Sequence, residues 1–229
     1  MVDFHSHILP TMDDGSRSTE ESAAMLTELK NQGIKTVMAT PHFYANDESV
    51  SDFLARRSAS YEKLKNVITP DMPQVFLGAE VRFYDGISHM DCLEKLCVEG
   101  TDLLLIEMPS CKWTEYTVKE LTDIACSGKF VLVLAHVERY MNFQRTGVFE
   151  RLLQNGVLMQ INASFINDLF TRRRALRLIK MQAVHFIGSD CHNMTGRAPE
   201  IGKAYESVRK KFGNEFVSDF NGFVNNFIK

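Results

Sequence analysis

The 229-residue sequence predicts a single α/β domain whose strands form a parallel sheet or a βα barrel. Short apolar, β-branched runs alternate with longer amphipathic runs, and this repeated order implies right-handed crossovers between parallel strands. Several of the short runs are apolar without alternation, as is typical of strands covered on both faces. There is no low-complexity linker and no break in composition, so one domain spanning residues 1–229 is the simplest interpretation.

Seven strands and the helices between them follow from the apolar periodicity. The predicted strands are residues 2–7, 36–40, 74–81, 102–107, 130–136, 158–163 and 184–189. The first helix begins at Ser18, with Glu21 completing a capping box, and ends at Gly33. Further helices are predicted over residues 52–66, 116–127, 148–155, 172–181 and 199–212, and the amphipathic tail 215–229 predicts a last one.

Composition excludes several classes of protein. The formal net charge of −3 gives no global field that would recruit nucleic acid or an anionic membrane. The N-terminus has no signal-peptide pattern, and the longest apolar run, near residues 130–135, is too short to cross a bilayer. The five cysteines contain no C-x-x-C pair, which argues against a disulfide framework or a zinc knuckle. We therefore expect a cytoplasmic protein without membrane insertion.

Histidine, aspartate and glutamate residues stand in or just after six of the seven predicted strands. His5 and His7 are two residues apart, so both side chains point to one face of the first strand. An H-x-H pair alone is weak evidence, because buried imidazoles also serve as structural hydrogen-bonding groups. The complete set of candidate ligands is His5, His7, Asp14, His42, Glu80, Glu107, His136, Asp190 and His192.

This pattern of strand ends predicts a metal site. The C-terminal ends of parallel barrel strands converge on one face, and histidine and carboxylate are ligands for zinc, manganese or iron. If polar residues merely accumulated at strand ends, serine, asparagine and lysine would be as frequent there. Nine such residues are too many for one ion and suggest two or three bridged by carboxylates. The sixth strand offers Asn162 and Ser164, which are poorer ligands and are expected to hydrogen-bond other ligands or the substrate.

A cysteine mechanism competes with the metal hypothesis. Cys191 and Arg197 match C-x5-R, the pattern of cysteine-dependent phosphatases, which need a thiolate of low pKa. If Asp190 and His192 both face a metal, however, Cys191 between them points away. The metal hypothesis is therefore favoured. No nucleotide-binding glycine loop and no G-x-S-x-G elbow is present.

Two arginines predict a phosphorylated substrate. Arg139 follows His136 by three residues and Arg197 follows His192 by five, so both should lie on the rim of the metal site. The planar guanidinium matches phosphate oxygens, although each arginine could instead pair with a carboxylate such as Glu138. A separate basic run, residues 172–174, is assigned to a solvated helix face in preference to a contact with a partner chain.

Taken together, these motifs resemble the polymerase-and-histidinol-phosphatase (PHP) superfamily. Within it they are most similar to the bacterial tyrosine-protein phosphatases of capsule and exopolysaccharide operons. The motifs that carry the resemblance are Asp3-x-His5-Ser6-His7-Ile8-Leu9-Pro10, Asp13-Asp14-Gly15, Ala39-Thr40-Pro41-His42, Gly78-x-Glu80, His136-Val137-Glu138-Arg139 and Ser189-Asp190-x-His192-Asn193. The family's usual filler within H-x-H is leucine or cysteine, whereas this chain has Ser6, and Cys191 fills Asp-x-His. Neither departure removes a ligand.

The resemblance implies a distorted seven-stranded (βα)7 barrel and hydrolysis of phosphotyrosine on a bacterial tyrosine autokinase that controls polysaccharide synthesis. It implies a trinuclear site, often loaded with manganese, on the nine ligands given above. We therefore expect two or three divalent ions, with manganese favoured over iron or zinc. It also implies phosphate contacts from Arg139 and Arg197, which we group with Asp14 as the catalytic residues. The sequence leaves the native metal, the partner kinase and homo-oligomerisation open.

Three rival functions remain at this stage. A histidinol-phosphate phosphatase would use the same site on a small amine substrate. An amidohydrolase or phosphotriesterase-like enzyme also has H-x-H on its first strand, but its bridging group is often a modified lysine where this chain has Glu80 and Glu107. An inactive regulatory barrel is the third, and the complete ligand set argues against it.

Overall fold

The computed structural model describes residues 1–145 and 147–227, which form nine short strands and eight α-helices. In chain order these are β1 (Val2–Ser6), α1 (Thr19–Asn31), β2 (Thr36–Ala39), β3 (His42–Phe43), α2 (Val50–Lys65), β4 (Gln74–Leu77), β5 (Glu80–Arg82), β6 (Leu103–Glu107), α3 (Glu115–Cys126), β7 (Val131–Leu134), α4 (Val148–Gln154), β8 (Leu158–Asn162), α5 (Ala163–Asn167), α6 (Arg172–Lys180), β9 (Phe186–Gly188), α7 (Ile201–Phe212) and α8 (Asn214–Gly222). Short 3₁₀ turns cover Ile87–His89, Leu93–Leu96, Val137–Arg139 and Phe223–Asn226.

All strand pairs are parallel, and they form one curled surface in two sheets. The sheets have the orders β1-β2-β4 and β3-β5-β6-β7-β8-β9. The first strand also meets the segment after the last one: Asp190 N–H donates to His5 O over 2.8 Å, and His7 N–H donates to Cys191 O over 2.9 Å. The predicted α/β class with a parallel sheet is confirmed. The closed seven-stranded barrel stays a prediction.

Nine strands replace the seven predicted ones for two reasons: β3 lies beyond the predicted strand 36–40 and was not predicted, and the predicted strand 74–81 is divided. The chain leaves β2 at Thr40-Pro41 and resumes as β3, because proline has no N–H for a ladder. The predicted strand 74–81 is divided at Gly78-Ala79 into β4 and β5, which belong to different sheets. As a result His42 lies directly opposite Glu80 in the β3–β5 register.

The helices form near their predicted positions, with three differences. Ser18 caps α1 by accepting from Glu21 N–H, but the Glu21 carboxylate accepts from Arg17 N–H, so the predicted reciprocal capping box is wrong. The helix α5 was not predicted. The predicted tail helix ends early, as α8 followed by the turn Phe223–Asn226, and residues 228–229 lie outside the described residues. Within the described chain no helix is long and apolar enough to span a membrane.

Apolar side chains fill both faces of the curled sheet. In β6, Leu104 and Ile106 belong to the cluster shared with the helices, whereas Leu103 and Leu105 belong to a second cluster on the other face. Phe4 stacks on Phe186 in that inner cluster, with ring centroids 3.9 Å apart. Glu107 is two residues after Leu105 and four after Leu103, so its side chain points to the same inner face, at the C-terminal end of β6.

Gly188 is where β9 approaches β1 most closely, and it offers a test of this packing. A Cβ there would lie 2.5 Å from His5 Cβ and 2.9 Å from Gln160 Nε2. We expect Gly188→Ala to lower the free energy of unfolding by about 1–3 kcal/mol, as overpacking does. Urea denaturation measures this, with Gly196→Ala as the control because a Cβ at Gly196 meets nothing within 4 Å. Equal stability of the two variants would contradict the packing.

Candidate active site

The C-terminal ends of the strands bring all nine predicted ligand residues into one cluster. Their donor atoms form four overlapping groups, in each of which the atoms lie within 4.8 Å of one another. The groups are His7, Asp14, His42 and His192; His5, His7 and Asp190; His5, Glu80 and His136; and His42, Glu80 and Glu107. Each group shares a residue with another, through His5, His7, His42 or Glu80, so the arrangement is one extended cluster.

At the centre of the cluster, nitrogen and oxygen donors face each other. Nε2 of His5 and Nε2 of His7 are 3.1 Å apart. Both nitrogens lie near Glu80 Oε2, at 3.3 and 3.4 Å, and His7 Nε2 is also 3.5 Å from Asp190 Oδ1. His5, His7 and Glu80 are almost completely buried. A concentration of this many donors away from water is stable only when positive charge is shared among them.

Several of these buried atoms lack a hydrogen-bond partner within the protein. They are His42 Nδ1, Glu80 Oε2 and His192 Nε2. His42 Nδ1 and Glu80 Oε2 are only 2.9 Å apart, but their geometry is not that of a hydrogen bond. Buried polar atoms are rarely left unpaired, and such exceptions point to an ion or a functional group. The donor set therefore fits divalent cations bound by imidazole and carboxylate.

The protein alone stabilises the carboxylates of the cluster as anions. Burial by itself would raise the pKa of Glu80, but His5, His136 and His42 hold that pKa well below its usual value. Burial likewise opposes ionisation of Asp190, yet the hydrogen bond from His7 and the charges on His5 and His7 keep its pKa below the usual range. The site thus presents ionised carboxylates, the form that binds metal.

The histidines of the cluster differ from one another in their proton affinity. Burial would lower the pKa of His7, but its carboxylate neighbours, with Asp13 first among them, raise it well above its usual value. Burial lowers the pKa of His136, and burial together with His7 and Arg197 lowers that of His192 to about 4. His136 and His192 are therefore the neutral imidazoles that a metal requires, and His7 must lose a proton to become one.

Asp13 orients two histidines and was missed as a site residue. Its Oδ2 is 2.7 Å from the ring nitrogen Nδ1 of His7 and accepts from the backbone N–H of His42 over 2.8 Å. Its Oδ1 accepts from the backbone N–H of Gly15 over 2.9 Å. A carboxylate behind a ligating imidazole sets the tautomer and the ring orientation. The Asp13-Asp14-Gly15 turn was the available signal, but the sequence does not show which of two adjacent aspartates faces inward.

Gln160 and Tyr140 form a second set of supports that sequence reasoning missed. Gln160 Oε1 accepts from His136 N–H over 2.7 Å and lies 3.3 Å from His5 Nδ1. The Tyr140 hydroxyl accepts from Met108 N–H and is 2.9 Å from His136 Nδ1. Gln160 is two residues before Asn162 on β8, so strand periodicity alone could have placed it on the site face.

Asn162 and Ser164 have separate positions at the end of β8. Asn162 Nδ2 donates to Asp190 Oδ2 over 2.8 Å, so it contacts a candidate ligand as expected for a supporting residue. Ser164 is exposed and lines a cavity of about 330 Å³ beside the cluster. The same cavity is bordered by Arg139, Arg197 and Glu200. The sixth strand therefore supplies support and a cavity wall.

Both predicted arginines lie on the rim and pair with the same carboxylate. An Nη2 of Arg139 is 2.5 Å from Asp190 Oδ2, and an Nη2 of Arg197 is 2.7 Å from Asp190 Oδ1. Each arginine is about two-fifths exposed, at 40% and 41%, and both border the cavity. The alternative partner Glu138 instead accepts from Asn162 N–H over 3.2 Å. A third arginine that the sequence did not single out, Arg82, pairs with Glu107 over 2.8 Å.

The cysteine of the C-x5-R match is in no position to act as a nucleophile. Cys191 is 1% exposed, and its backbone forms a parallel bridge to Ser6. Burial raises the pKa of its thiol well above the usual value, with Asp3 adding to the effect. A catalytic cysteine requires the opposite: an accessible thiolate in an electropositive setting.

Comparison with known proteins identifies the family. A family model described as capsular polysaccharide synthesis, CpsB/CapC, matches residues 1–226. The chain belongs to the CpsB/CapC family. It is 32% identical over 222 residues to the tyrosine-protein phosphatase YwqE of Bacillus subtilis, covering 94% of this chain and 86% of that protein. It is 28% identical over 242 residues to the tyrosine-protein phosphatase CpsB of Streptococcus pneumoniae, covering 99% and 96%. The resemblance drawn from the motifs is confirmed.

Solved structures agree with this assignment. A crystal structure from work on YwqE and CpsB, described as unique metal-dependent tyrosine phosphatases, matches with a TM-score of 0.79 at 26% identity over 99% of this chain and 95% of that chain. The histidinol phosphate phosphatase of Lactococcus lactis matches with a TM-score of 0.55 at 14% identity, over 93% and 94%. That second likeness shows a shared fold alone.

Glu138 provides a pH test of burial beside the site. Burial raises its pKa from 4.5 to about 7, so the folded protein holds this proton more tightly than the unfolded chain. The stabilisation is complete below pH 4.5 and is lost as the pH rises through 7, by up to about 3 kcal/mol. In urea unfolding of metal-free protein at pH 5 and pH 8, we expect Glu138→Gln to lose less stability than the wild type. Parallel losses would contradict this assignment.

Proposed function

We propose that this chain is a metal-dependent phosphatase that hydrolyses phosphotyrosine. The observation that carries the proposal is the cluster of buried histidine and carboxylate donors, bordered by two arginines that project into one cavity. Such donors suit metal-assisted hydrolysis, and guanidinium groups suit phosphate recognition. The tyrosine-protein phosphatases YwqE and CpsB, relatives along nearly the whole chain, support the same activity.

The metal centre would use the nine predicted ligands. We propose two or three divalent ions, with manganese favoured, held by His5, His7, Asp14, His42, Glu80, Glu107, His136, Asp190 and His192. When bound, these ions would supply Lewis acidity toward phosphate oxygens and water near neutral pH. The number of overlapping donor groups and the unpaired buried atoms support more than one ion.

Arg139 and Arg197 would bind the phosphate of the substrate. Both guanidinium groups pair with Asp190 and border the cavity. The exposed part of each guanidinium would donate to phosphate oxygens at the rim of the cavity. Asp14, 65% exposed and 3.7 Å from Arg197 Nη1, lies at the same mouth and would help position that arginine.

Tyr44 favours an aromatic ester as the substrate. Its ring centroid lies 5.4 Å from that of His42, and the side chain is 39% exposed at the mouth of the site. An exposed aromatic ring beside the ligands can stack on the phenyl ring of phosphotyrosine. Phenolate is also a better leaving group than an alkoxide, so a phosphotyrosyl ester needs less help from a general acid.

The finer structural and biological expectations belong to the same proposal. We infer that the chain forms a distorted (βα)7 barrel, in which β2 with β3, and β4 with β5, each count as one interrupted strand. The chain would act as one domain in the cytoplasm on the phosphorylated tail of a tyrosine kinase that regulates capsule or exopolysaccharide synthesis. The metal-dependent description of the YwqE and CpsB structures and the family's link to capsular polysaccharide synthesis support this context.

Chelation and substrate comparison test the proposed activity. We expect EDTA to abolish turnover of p-nitrophenyl phosphate and Mn²⁺ to restore it, because the unpaired donors need cations. The restored enzyme should have a kcat/KM at least about 10-fold higher for a phosphotyrosyl peptide than for histidinol phosphate. Turnover that resists chelation would exclude the metal mechanism. A preference for histidinol phosphate would instead assign the small-amine activity found in the Lactococcus lactis neighbour.

Cys191→Ser separates the metal mechanism from a thiol mechanism. Because the thiol is buried and its backbone is fixed against β1, we expect the variant to keep kcat within about twofold of the wild type. The rate on p-nitrophenyl phosphate with Mn²⁺ measures this, and the thermal unfolding midpoint confirms that the variant is folded. A loss of about 1,000-fold or more in a folded variant would restore the cysteine mechanism.

A further inference from the structure

A groove outside the metal site carries a local excess of positive charge. It lies between α6 and the C-terminal end of α7 and has a volume of about 480 Å³. Leu176 and Phe212 contribute apolar surface, and the cations that border it include Arg173, Arg177 and Lys180 of α6. Among the described residues no carboxylate lines this groove, although the chain as a whole has a net charge of −3. The sequence had assigned the arginine run here to a solvated helix face.

The groove cations are available to a ligand. Arg172 is already used, because its Nε and Nη2 donate to the carbonyls of Ile166 and Asn167. In contrast, Arg173, Arg177 and Lys180 form no ion pair in the part of the chain that the structure describes, and neither does Lys211 of α7. Two cations of α7 outside the groove are paired: Lys203 with Glu200, and Arg209 with Glu206. Several uncompensated cations clustered in one groove are typical of an anion-binding surface.

The combination of groups selects one class of ligand. Arg173 and Arg177 are four residues apart on α6 and therefore lie side by side on one helix face. Their forks suit the oxygens of a phosphate dianion. The apolar side chains of Leu176 and Phe212 in the same groove suit an aromatic ring. A ligand that has both parts is an aryl phosphate, the chemical class of the proposed substrate.

The groove is also linked to the active site by a short segment. Ser164 at the start of α5 lines the cavity that Arg139 and Arg197 border. At the end of α5, Asn167 Nδ2 donates over 2.9 Å to the carbonyl of Glu200, which borders the same cavity. Leu169, two residues further on, already lines the groove. A peptide bound in the active site can therefore continue along α5 to the groove.

We propose that this groove is a second phosphotyrosine-binding site, which holds one phosphorylated tyrosine of a substrate while another occupies the metal centre. The proposal rests on the proposed function of the metal site. None of the described residues that line the groove is a histidine or a carboxylate, so the groove would bind phosphotyrosine without hydrolysing it. Multiply phosphorylated chains would be retained and dephosphorylated in preference to singly phosphorylated ones.

A membrane contact is the competing use of this surface. Leu169 and Phe170 are 77% and 96% exposed beside the arginines, and apolar groups next to cations also bind anionic bilayers. A concave groove with apolar and cationic walls fits a side chain better than a flat lipid surface. Vesicle binding is therefore included as an outcome that would overturn the proposal.

Kinetics on paired peptides test the second site in the Mn²⁺-loaded enzyme. The peptides carry one phosphotyrosine, or two separated by about 4, 8 or 12 residues, which span up to about 3.5 Å per residue. For the best spacing we expect kcat/KM about 10-fold higher than for the single phosphotyrosine, through a lower KM, after correction for the two reactive sites. The double variant Arg173→Ser/Arg177→Ser should lose this advantage. Its turnover of p-nitrophenyl phosphate should stay within about twofold of the wild type, because these arginines lie outside the metal site.

Matched controls make each outcome decisive. The double variant Lys35→Ser/Lys129→Ser removes the same amount of charge near the starts of β2 and β7, at the ends of the strands that face away from the active site. This variant should keep the kinetic advantage of the doubly phosphorylated peptide. Replacing the second phosphotyrosine by phosphoserine should reduce it, because the ring contact is lost. The proposal is overturned if no spacing gives an advantage, if both double variants lose it equally, or if the wild type instead pellets with phosphatidylglycerol vesicles through Arg173 and Arg177. Absence of turnover on every substrate would refute the phosphatase function itself.

Discussion

The Glu80 carboxylate, buried among four histidines, is the interaction on which the rest of the site depends. Its two oxygens lie between 2.8 and 3.4 Å from ring nitrogens of His5, His7, His42 and His136. An isolated carboxylate at this depth would be unstable by several kcal/mol or would take up a proton. The histidines keep it ionised, so strands β1, β3, β5 and β7 must all deliver their side chains to one point.

The interruptions of the sheet serve this convergence. A regular strand through residues 74–81 would remain in the β2–β4 sheet, whereas Gly78-Ala79 lets the chain move to a neighbouring sheet. Pro41 ends β2 at the equivalent place, and His42 then pairs directly with Glu80. The site is thus formed where the regular strands are interrupted or end. Functional residues commonly lie at such positions in parallel α/β folds.

Arginines lie in two settings apart from Glu80, the rim of the active site and the groove beside α6. The two settings differ in whether a carboxylate neutralises the arginines. Arg139 and Arg197 pair with Asp190, a residue that would hold metal, and both border the cavity beside the cluster. Arg173 and Arg177 form no ion pair with a described residue and border a groove that Leu176 and Phe212 also line. The segment from α5 to Leu169 lies between the two settings. If both bind phosphate as proposed, the helix after β8 would link catalysis to substrate selection.

The sequence alone determined the α/β class, the approximate strand and helix positions, and which nine residues gather at the strand ends, because apolar periodicity and ligand chemistry are local properties. Only the tertiary structure decided that His42 faces Glu80, that Asp13 and Gln160 orient the histidines, and that both arginines share Asp190. Only it showed that Cys191 is buried, which a C-x5-R spacing cannot reveal. The helix α5, which was not predicted, and the groove beside α6 are also apparent only in the tertiary structure. These features depend on contacts between side chains that are distant in the sequence. The apolar periodicity of the sequence does not contain information about such contacts.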